Sequence, residues 1–168
     1  MVKKTQSKNR WEPSGEDYQQ VFAEQNPWHQ IGSVPTVFAP SVLRPLAKSL
    51  WQTVQRNKPF RHHLILGPRR VGKSTVMYQT VQKLIDAGIS INKLWWLRLD
   101  HPLLMQISLG TLVRFIVNVS NASEDNPAYV FLDELTYAKE WDLWLKTFYD
   151  DRWPIRIIGT SRTSNDKK

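Results

Sequence analysis

His63-Leu64-Ile65-Leu66 followed by GPRRVGKST at 67–75 is the stretch that decides the fold. The first four residues read as a short buried strand, and 74–87 places Val76, Thr80, Val81, Leu84 and Ile85 at helical spacing. Between them lies a complete G-x-x-x-x-G-K-[ST] pattern in the strand, loop, helix context that gives it meaning. Such a loop turns backbone N–H groups inward at a helix N-terminus, where orphan donors and the helix dipole favour anions. Gly67 and Gly72 permit that backbone, Pro68, Arg69, Arg70 and Val71 complete the cradle, and Thr75 adds a phosphate contact. Lys73 suits the β- and γ-phosphates as a mobile cation, and the Ser74 hydroxyl suits a Mg²⁺ shell shared with the nucleotide. Arg69 and Arg70 either raise the local positive potential or stay solvated, as loop arginines commonly do. The expected ligand is a nucleoside triphosphate.

A second constellation, Tyr129-Val130-Phe131-Leu132-Asp133-Glu134, is an apolar strand ending in two carboxylates. Asp133 is expected to hold Mg²⁺ through its water shell; Glu134, one residue on and facing elsewhere, is expected to orient or deprotonate the attacking water. Further on, Pro154-Ile155-Arg156-Ile157-Ile158 is a β-rich run that Gly159 breaks just before Thr160 and Ser161. Hydroxyls there suit a phosphate oxygen. Hydroxyl-rich turns are also common as solvated loops, so that reading of Ser161, Thr163 and Ser164 stands beside it.

Four landmarks together resemble the prokaryotic AAA+ ATPases whose phosphate loop reads GPRRVGK[ST]. They are the loop itself, Leu97-Arg98-Leu99-Asp100-His101-Pro102, Phe131-Leu132-Asp133-Glu134 with Trp141 behind it, and Ile157-Ile158-Gly159-Thr160-Ser161. The resemblance spans residues 46–161. It implies ATP rather than GTP and Mg²⁺ as the metal. By position it implies Lys73 and Ser74 on phosphate and metal, Asp133 on the metal, Glu134 on water, and Thr160 or Ser161 as the sensor of the γ-phosphate. It also makes residues 34–44 an adenine-side wall. The family continues through a helix, a strand, an arginine finger and a lid, so a chain ending at Lys168 is expected to be a truncated ATPase. Arg152 and Arg162 are available cations, but neither matches the family's finger position, so a protein partner or a second copy is expected to supply the finger. Without the family's last strand, the strand at 63–66 is expected at a sheet edge, which favours self-association.

Composition agrees with one α/β domain: 168 residues, 41% of them hydrophobic, with eight tryptophans to fill a core. The absence of cysteine excludes disulfides and thiolate metal sites, and adjacent His62 and His63 are poorly arranged to share a metal. No stretch is long and apolar enough to span a membrane, and the lysine-rich start lacks a signal-peptide core. A cytoplasmic protein is therefore expected, in which the glycosylation patterns at Asn118 and Asn121 are empty. Of the net charge of +8, Lys3, Lys4, Lys8 and Arg10 carry half, and Arg162, Asp166, Lys167 and Lys168 a further +2. A body so near balance lacks the stripe of a dedicated nucleic-acid reader, and only the basic tails support such a partner. Trp95 and Trp96 sit in the apolar run 94–99 and are expected in the core rather than on stacked bases.

Along the chain, 1–39 reads as a partly disordered N-terminal arm, with a short helix over 16–24 and a proline-rich loop over 26–39. Leu46, Ala47, Leu50, Trp51 and Val54 mark an amphipathic helix opened by Pro45. Gly88 stops the phosphate-loop helix, Asp100 caps a helix after Pro102, and Gly110 breaks the apolar helical stretch 103–119. Trp141, Trp144, Leu145 and Phe148 recur on one helical face. The expected fold is α/β, a three-layer P-loop NTPase of AAA+-like type with a mainly parallel sheet, lacking the C-terminal part and lid. Residues 40–161 form the incomplete nucleotide-binding domain and 162–168 a basic tail. The expected activity is Mg²⁺-dependent hydrolysis of ATP to ADP and phosphate. Two other classes remain: a nucleotide-dependent binding module with little turnover, and an ATP-dependent loader or remodeller of nucleic acid.

Overall fold

Short apolar strands alternating with helices require parallel pairing, because each helix carries the chain back across the sheet before the next strand begins. The structure, a computed structural model, describes residues 13–56 and 60–163. Among them β1 (His63–Leu66), β2 (Leu94–Arg98), β3 (Ala128–Asp133) and β4 (Ile155–Ser161) form one sheet in the order β1-β4-β3-β2, parallel throughout. This is the expected α/β class and the AAA+ P-loop NTPase architecture. The lysines at either end of the chain, on which a nucleic-acid partner rests, lie outside the described residues.

The pleat of β3 sorts its side chains between two cores. Val130 and Leu132 face Leu112, Val113 and Ile116 of α5 (Leu109–Val119) and Phe148 of α6 (Trp141–Asp150). Tyr129 and Phe131 face Leu50 of α3 (Pro45–Gln55) and Met77, Val81 and Leu84 of α4 (Lys73–Asp86). Helices on both faces make three layers. Every residue of β3 and β4 is buried, which explains their continuous apolar runs. Trp96 is buried against Tyr78, the rings 3.8 Å apart and nearly parallel, so it serves the core.

The two sheet edges differ. Along β2, Asn26 donates to the Trp96 carbonyl and accepts from the Trp96 N–H, Gln25 accepts from the Arg98 N–H, and the Trp28 indole donates to the Leu94 carbonyl. These side chains come from α1 (Gly15–Gln25), the turn after it and α2 (Trp28–Ile31). They stand in for a neighbouring strand and satisfy the backbone groups an edge would leave to water. Residues 13–39 thus pack into the same cores as the rest, with Val21, Trp28 and Val34 all buried. Residue 39, where composition places the end of the arm, marks no structural break. A capping box starts α1, Ser14 accepting from Asp17 N–H at 3.2 Å while the Asp17 carboxylate accepts from Ser14 N–H at 2.6 Å. At the other edge β1 has no neighbour beyond it among the described residues, and Leu64 and Leu66 are 41% and 62% exposed.

Two local expectations are corrected. Gly110 does not break a helix; it lies in the first turn of α5, which starts from Ser108 as N-cap. A Cβ at Gly110 would fall well inside the Trp144 ring, so glycine is there to let α6 approach α5. Asp100 does not cap a helix either, since no α-helix starts before Leu109. It takes an ion pair from Arg98, Nε to Oδ1 at 2.9 Å, and faces the cleft described below.

Candidate functional site

Parallel register brings the site together: Leu66 stands opposite Ser161, and Leu132 opposite Gly159, so β1, β3 and β4 end at one level. Gly67 leaves β1 with its N–H donating to the Ser161 carbonyl at 3.4 Å, and the loop then turns into α4 at Lys73. Gly72 closes the turn at φ 93°, a conformation glycine adopts without cost. The Arg44 guanidinium lies over Gly72 where a Cβ would sit, and donates to the Val71 carbonyl at 3.1 Å. Arg70 takes φ 60°, a left-handed position uncommon outside glycine.

Lys73 lies across the loop, donating to the carbonyls of Gly67 and Pro68 at 2.7 and 2.6 Å. Its ammonium is thus held over the cradle. Ser74 points to the end of β3, its hydroxyl donating to Asp133 Oδ1 and Oδ2 at 3.2 and 3.0 Å. Thr160 donates to Asp133 Oδ1 at 2.7 Å and accepts from the Glu134 N–H at 3.0 Å. Burial pushes the Asp133 carboxyl above the usual carboxylate range, and the Thr160 and Ser74 hydroxyls only partly oppose that.

Glu134 leaves the strand at φ 57°, so it does not follow the pleat of β3 and its side chain turns into the cleft. The Thr160 hydroxyl that holds its N–H supports this strained backbone. Arg162 meets the carboxylate: Nη2 donates to Oε1 at 3.3 Å, and Nε lies 3.2 Å from Oε2. The sequence gives Arg162 only as an available cation. Strand alternation was the signal that could have placed it, because Arg162 follows Thr160 by two positions and shares its side. Ser161, on the alternate position, donates to the Arg162 carbonyl at 3.3 Å instead and is buried.

The cleft so formed has a volume of about 370 Å³. Arg69, Arg70, Lys73 and Arg162 supply its cations, Asp100, Asp133 and Glu134 its carboxylates, and Ser74 and Thr75 its hydroxyls. Such a mixture suits a polyanion accompanied by a divalent cation. The donor set fits Mg²⁺: one buried carboxylate and one hydroxyl at 3.0 Å leave room for the waters and phosphate oxygens this ion retains. Among the described residues no cluster of three or more His, Asp or Glu side chains forms a cage, in keeping with a metal that arrives with its ligand.

The profile of an AAA domain family matches residues 60–168, well over half of the chain. The chain belongs to this family. Membership and fold make it an AAA-type P-loop protein with a nucleotide-binding ATPase core. No curated protein matches the chain. Among solved structures it is similar to C. elegans PCH-2, with 18% sequence identity and a TM-score of 0.46 over 73% of this chain. It spans only 36% of that protein's chain.

In this AAA domain a second cleft of about 390 Å³ adjoins the loop, lined by Arg44, Pro45, Leu46, Ile65, Leu66 and Val76 among others. It is mostly apolar, as a base site needs to be. Of the segment 34–44, only Arg44 reaches it. That segment is moored to α4 through buried Gln79, which donates to the carbonyls of Pro40 and Val42 at 2.8 Å and accepts from the Arg44 N–H at 3.1 Å. A cleft of about 440 Å³ lies elsewhere, at the start of β4, lined by Phe60, Tyr149, Arg152, Trp153 and Arg156 with two carboxylates. Arg152 is therefore remote from the phosphate loop. Among the described residues no helix is long and apolar enough to cross a membrane.

Proposed function

We propose that the chain binds ATP with Mg²⁺ and hydrolyses it to ADP and phosphate. The observation that carries the reading is the direct contact of Ser74 with Asp133, which joins the phosphate loop to the carboxylate-bearing strand end at 3.0 Å. In this reading the inward N–H groups of residues 67–75 hold the phosphates, Lys73 leaves the Gly67 and Pro68 carbonyls for the β- and γ-phosphates, and the base enters the apolar cleft beside Leu46 and Val76. Ser74 and Asp133 would hold Mg²⁺, which when bound neutralises charge on the phosphate oxygens. Glu134 orients a water in line with the γ-phosphorus. Its oxygen bonds to that phosphorus as the bond to the β–γ bridging oxygen breaks; ADP departs and the water's proton passes by way of Glu134 to solvent. Thr160 positions both carboxylates from β4 and is the better placed of the two sensor candidates; Ser161 faces away.

Weak turnover in the isolated chain belongs to the same proposal. Arg162 occupies the Glu134 carboxylate, and Arg152 is too far off to act as a finger. A second copy or a protein partner would bring the missing cation, and the uncovered edge of β1, with Leu64 and Leu66 exposed, offers such a chain a surface. The ion pair on Glu134 also supports the second reading, a module that uses bound ATP to recruit a partner while turning it over little. Both place the protein where ATP is abundant, in the cytoplasm. Calorimetric titration with Mg·ATP and Mg·ADP, followed by single-turnover hydrolysis, tests the proposal: no binding of either nucleotide rejects it, and binding without turnover selects the second reading.

A further inference from the structure

Glu134 and Arg162 are held to each other less well than their positions allow. The pair makes one hydrogen bond, at 3.3 Å, and its second contact is an ion contact only. Arg162 Nε and Glu134 Oε2 are both buried, and neither has a hydrogen-bond partner among the described residues. A fork-to-fork arginine–carboxylate pair would have satisfied both atoms. Both side chains line the cleft that also holds Lys73 and Ser74, at 25% and 21% exposure. The guanidinium therefore retains a buried, unsatisfied donor within the cleft in which the triphosphate would lie, resting on the residue proposed to orient water.

Resting on the nucleotide reading above, we propose that Arg162 is the residue that distinguishes ATP from ADP. It pairs with Glu134 when no γ-phosphate is present and moves to the γ-phosphate when ATP binds, which frees Glu134 to take up water. The exchange follows from charge and geometry. A terminal phosphate offers three oxygens and more negative charge than one carboxylate, and it can accept from Nε and Nη2 together, satisfying the donor that Glu134 leaves unmatched. ADP brings no such group near the end of β3, so with ADP bound Arg162 stays on Glu134 and the site is both closed to hydrolysis and readable as spent. This role is separate from that of a finger from another chain, since Arg162 acts from within the same site. Thr160 fixes the geometry by holding the Glu134 N–H, so that it is the Arg162 side chain that moves.

The test is equilibrium binding of Mg·ADP and of a non-hydrolysable Mg·ATP analogue to the full chain, for wild type, Arg162→Ala, Arg162→Lys, Glu134→Gln and the double variant Glu134→Gln/Arg162→Ala. The wild type is expected to prefer the triphosphate. Arg162→Ala is expected to lose about tenfold to a hundredfold of that preference, the range of a charge-assisted hydrogen bond, while Mg·ADP affinity changes by less than about threefold. Arg162→Lys should restore part of it. Glu134→Gln weakens the competing contact, so it should increase triphosphate preference when Arg162 is present and not in the double variant. An unchanged triphosphate-to-diphosphate ratio in Arg162→Ala, with Mg·ADP binding intact, overturns the proposal alone, as does a Glu134→Gln gain that survives in the double variant. Failure of wild type to bind Mg·ADP overturns the nucleotide reading and this proposal with it. A fold defect is recognised separately, because it would weaken both nucleotides equally.

Discussion

The Ser74 hydroxyl donates to both oxygens of the Asp133 carboxylate, 59 positions further along the chain, and Thr160 donates to one of them. Two neutral hydroxyls are weak compensation for a buried charge, and the Asp133 pKa is accordingly raised by burial. For an acid whose folded pKa lies above its unfolded one, the associated stability is present below the unfolded value of 3.8 and is lost as pH rises through the raised folded value. At neutral pH the ionised carboxylate is therefore a burden on the fold. Asp133→Asn should raise the melting temperature of the nucleotide-free chain at pH 7 and abolish the extra stabilisation that Mg²⁺ adds to ADP. A lower nucleotide-free melting temperature would show that Asp133 serves the fold rather than a cation.

Lys73 makes its hydrogen bonds to loop carbonyls, not to any element of the core. Lys73→Ala should leave the thermal midpoint of the free chain within a few degrees of wild type and remove about tenfold to a hundredfold of Mg·ATP affinity, as expected for charge-assisted contacts to phosphate. Thermal shift against Mg·ATP concentration measures both. Equal shifts in mutant and wild type would remove Lys73 from the site.

Glu134→Gln keeps the side-chain shape and the N–H bond to Thr160 but removes the charge that orients or accepts a proton from water. Hydrolysis under single-turnover conditions should fall by about 10² to 10⁴, the usual contribution of a general base, with Mg·ATP still bound. Undiminished hydrolysis would transfer the role to another group in the cleft.

The loop at 67–75 and the ends of β3 and β4 were legible because each is a local pattern whose chemistry lies within a few residues. The same holds for Pro45 at the first turn of α3 and for the buried face of α6. What could not be read was set by contacts between distant segments. Asn26 lies in a polar, proline-rich stretch and gives no sign that its amide will bond the backbone of Trp96, 70 positions away. Gly110 looks like a helix breaker because local propensity contains no Trp144. Arg162 was counted among the surface cations because the left-handed backbone that turns Glu134 toward it has no sequence signature.

Gly110 tests that tertiary override. In an exposed helix glycine to alanine would gain about 1 kcal/mol, and less in a first turn. Here the added methyl enters the Trp144 ring, and overpacking of a well-packed contact costs about 1–3 kcal/mol. Gly110→Ala should therefore be net destabilising in urea unfolding, and Gly110→Ala/Trp144→Leu should recover most of the loss. Greater stability of the single variant would mean that α5 and α6 do not pack as closely as the structure has them.

His62 carries the clearest pH dependence outside the cleft. It lies at the start of β1 between Phe60 and Tyr149, its Nδ1 accepting from the Ile157 N–H at 3.2 Å and its buried Nε2 without a hydrogen-bond partner among the described residues. Burial, then the Arg156 charge and then His63, lower its pKa from 6.5 to about 4. The neutral ring is therefore the folded form. With the folded value below the unfolded one, its contribution is fully present above pH 6.5 and is lost progressively as pH falls to about 4. The loss amounts to about 3 kcal/mol, since each pKa unit is worth about 1.4 kcal/mol. His62→Asn keeps an acceptor for the Ile157 N–H and does not titrate. It should be less stable than wild type at pH 7.5 because it leaves a cavity, yet it should lose less stability between pH 6.5 and 4.5. Urea midpoints across that range decide the matter: parallel pH profiles for the two proteins would place His62 in a wetter site than the packing of Phe60 and Tyr149 allows.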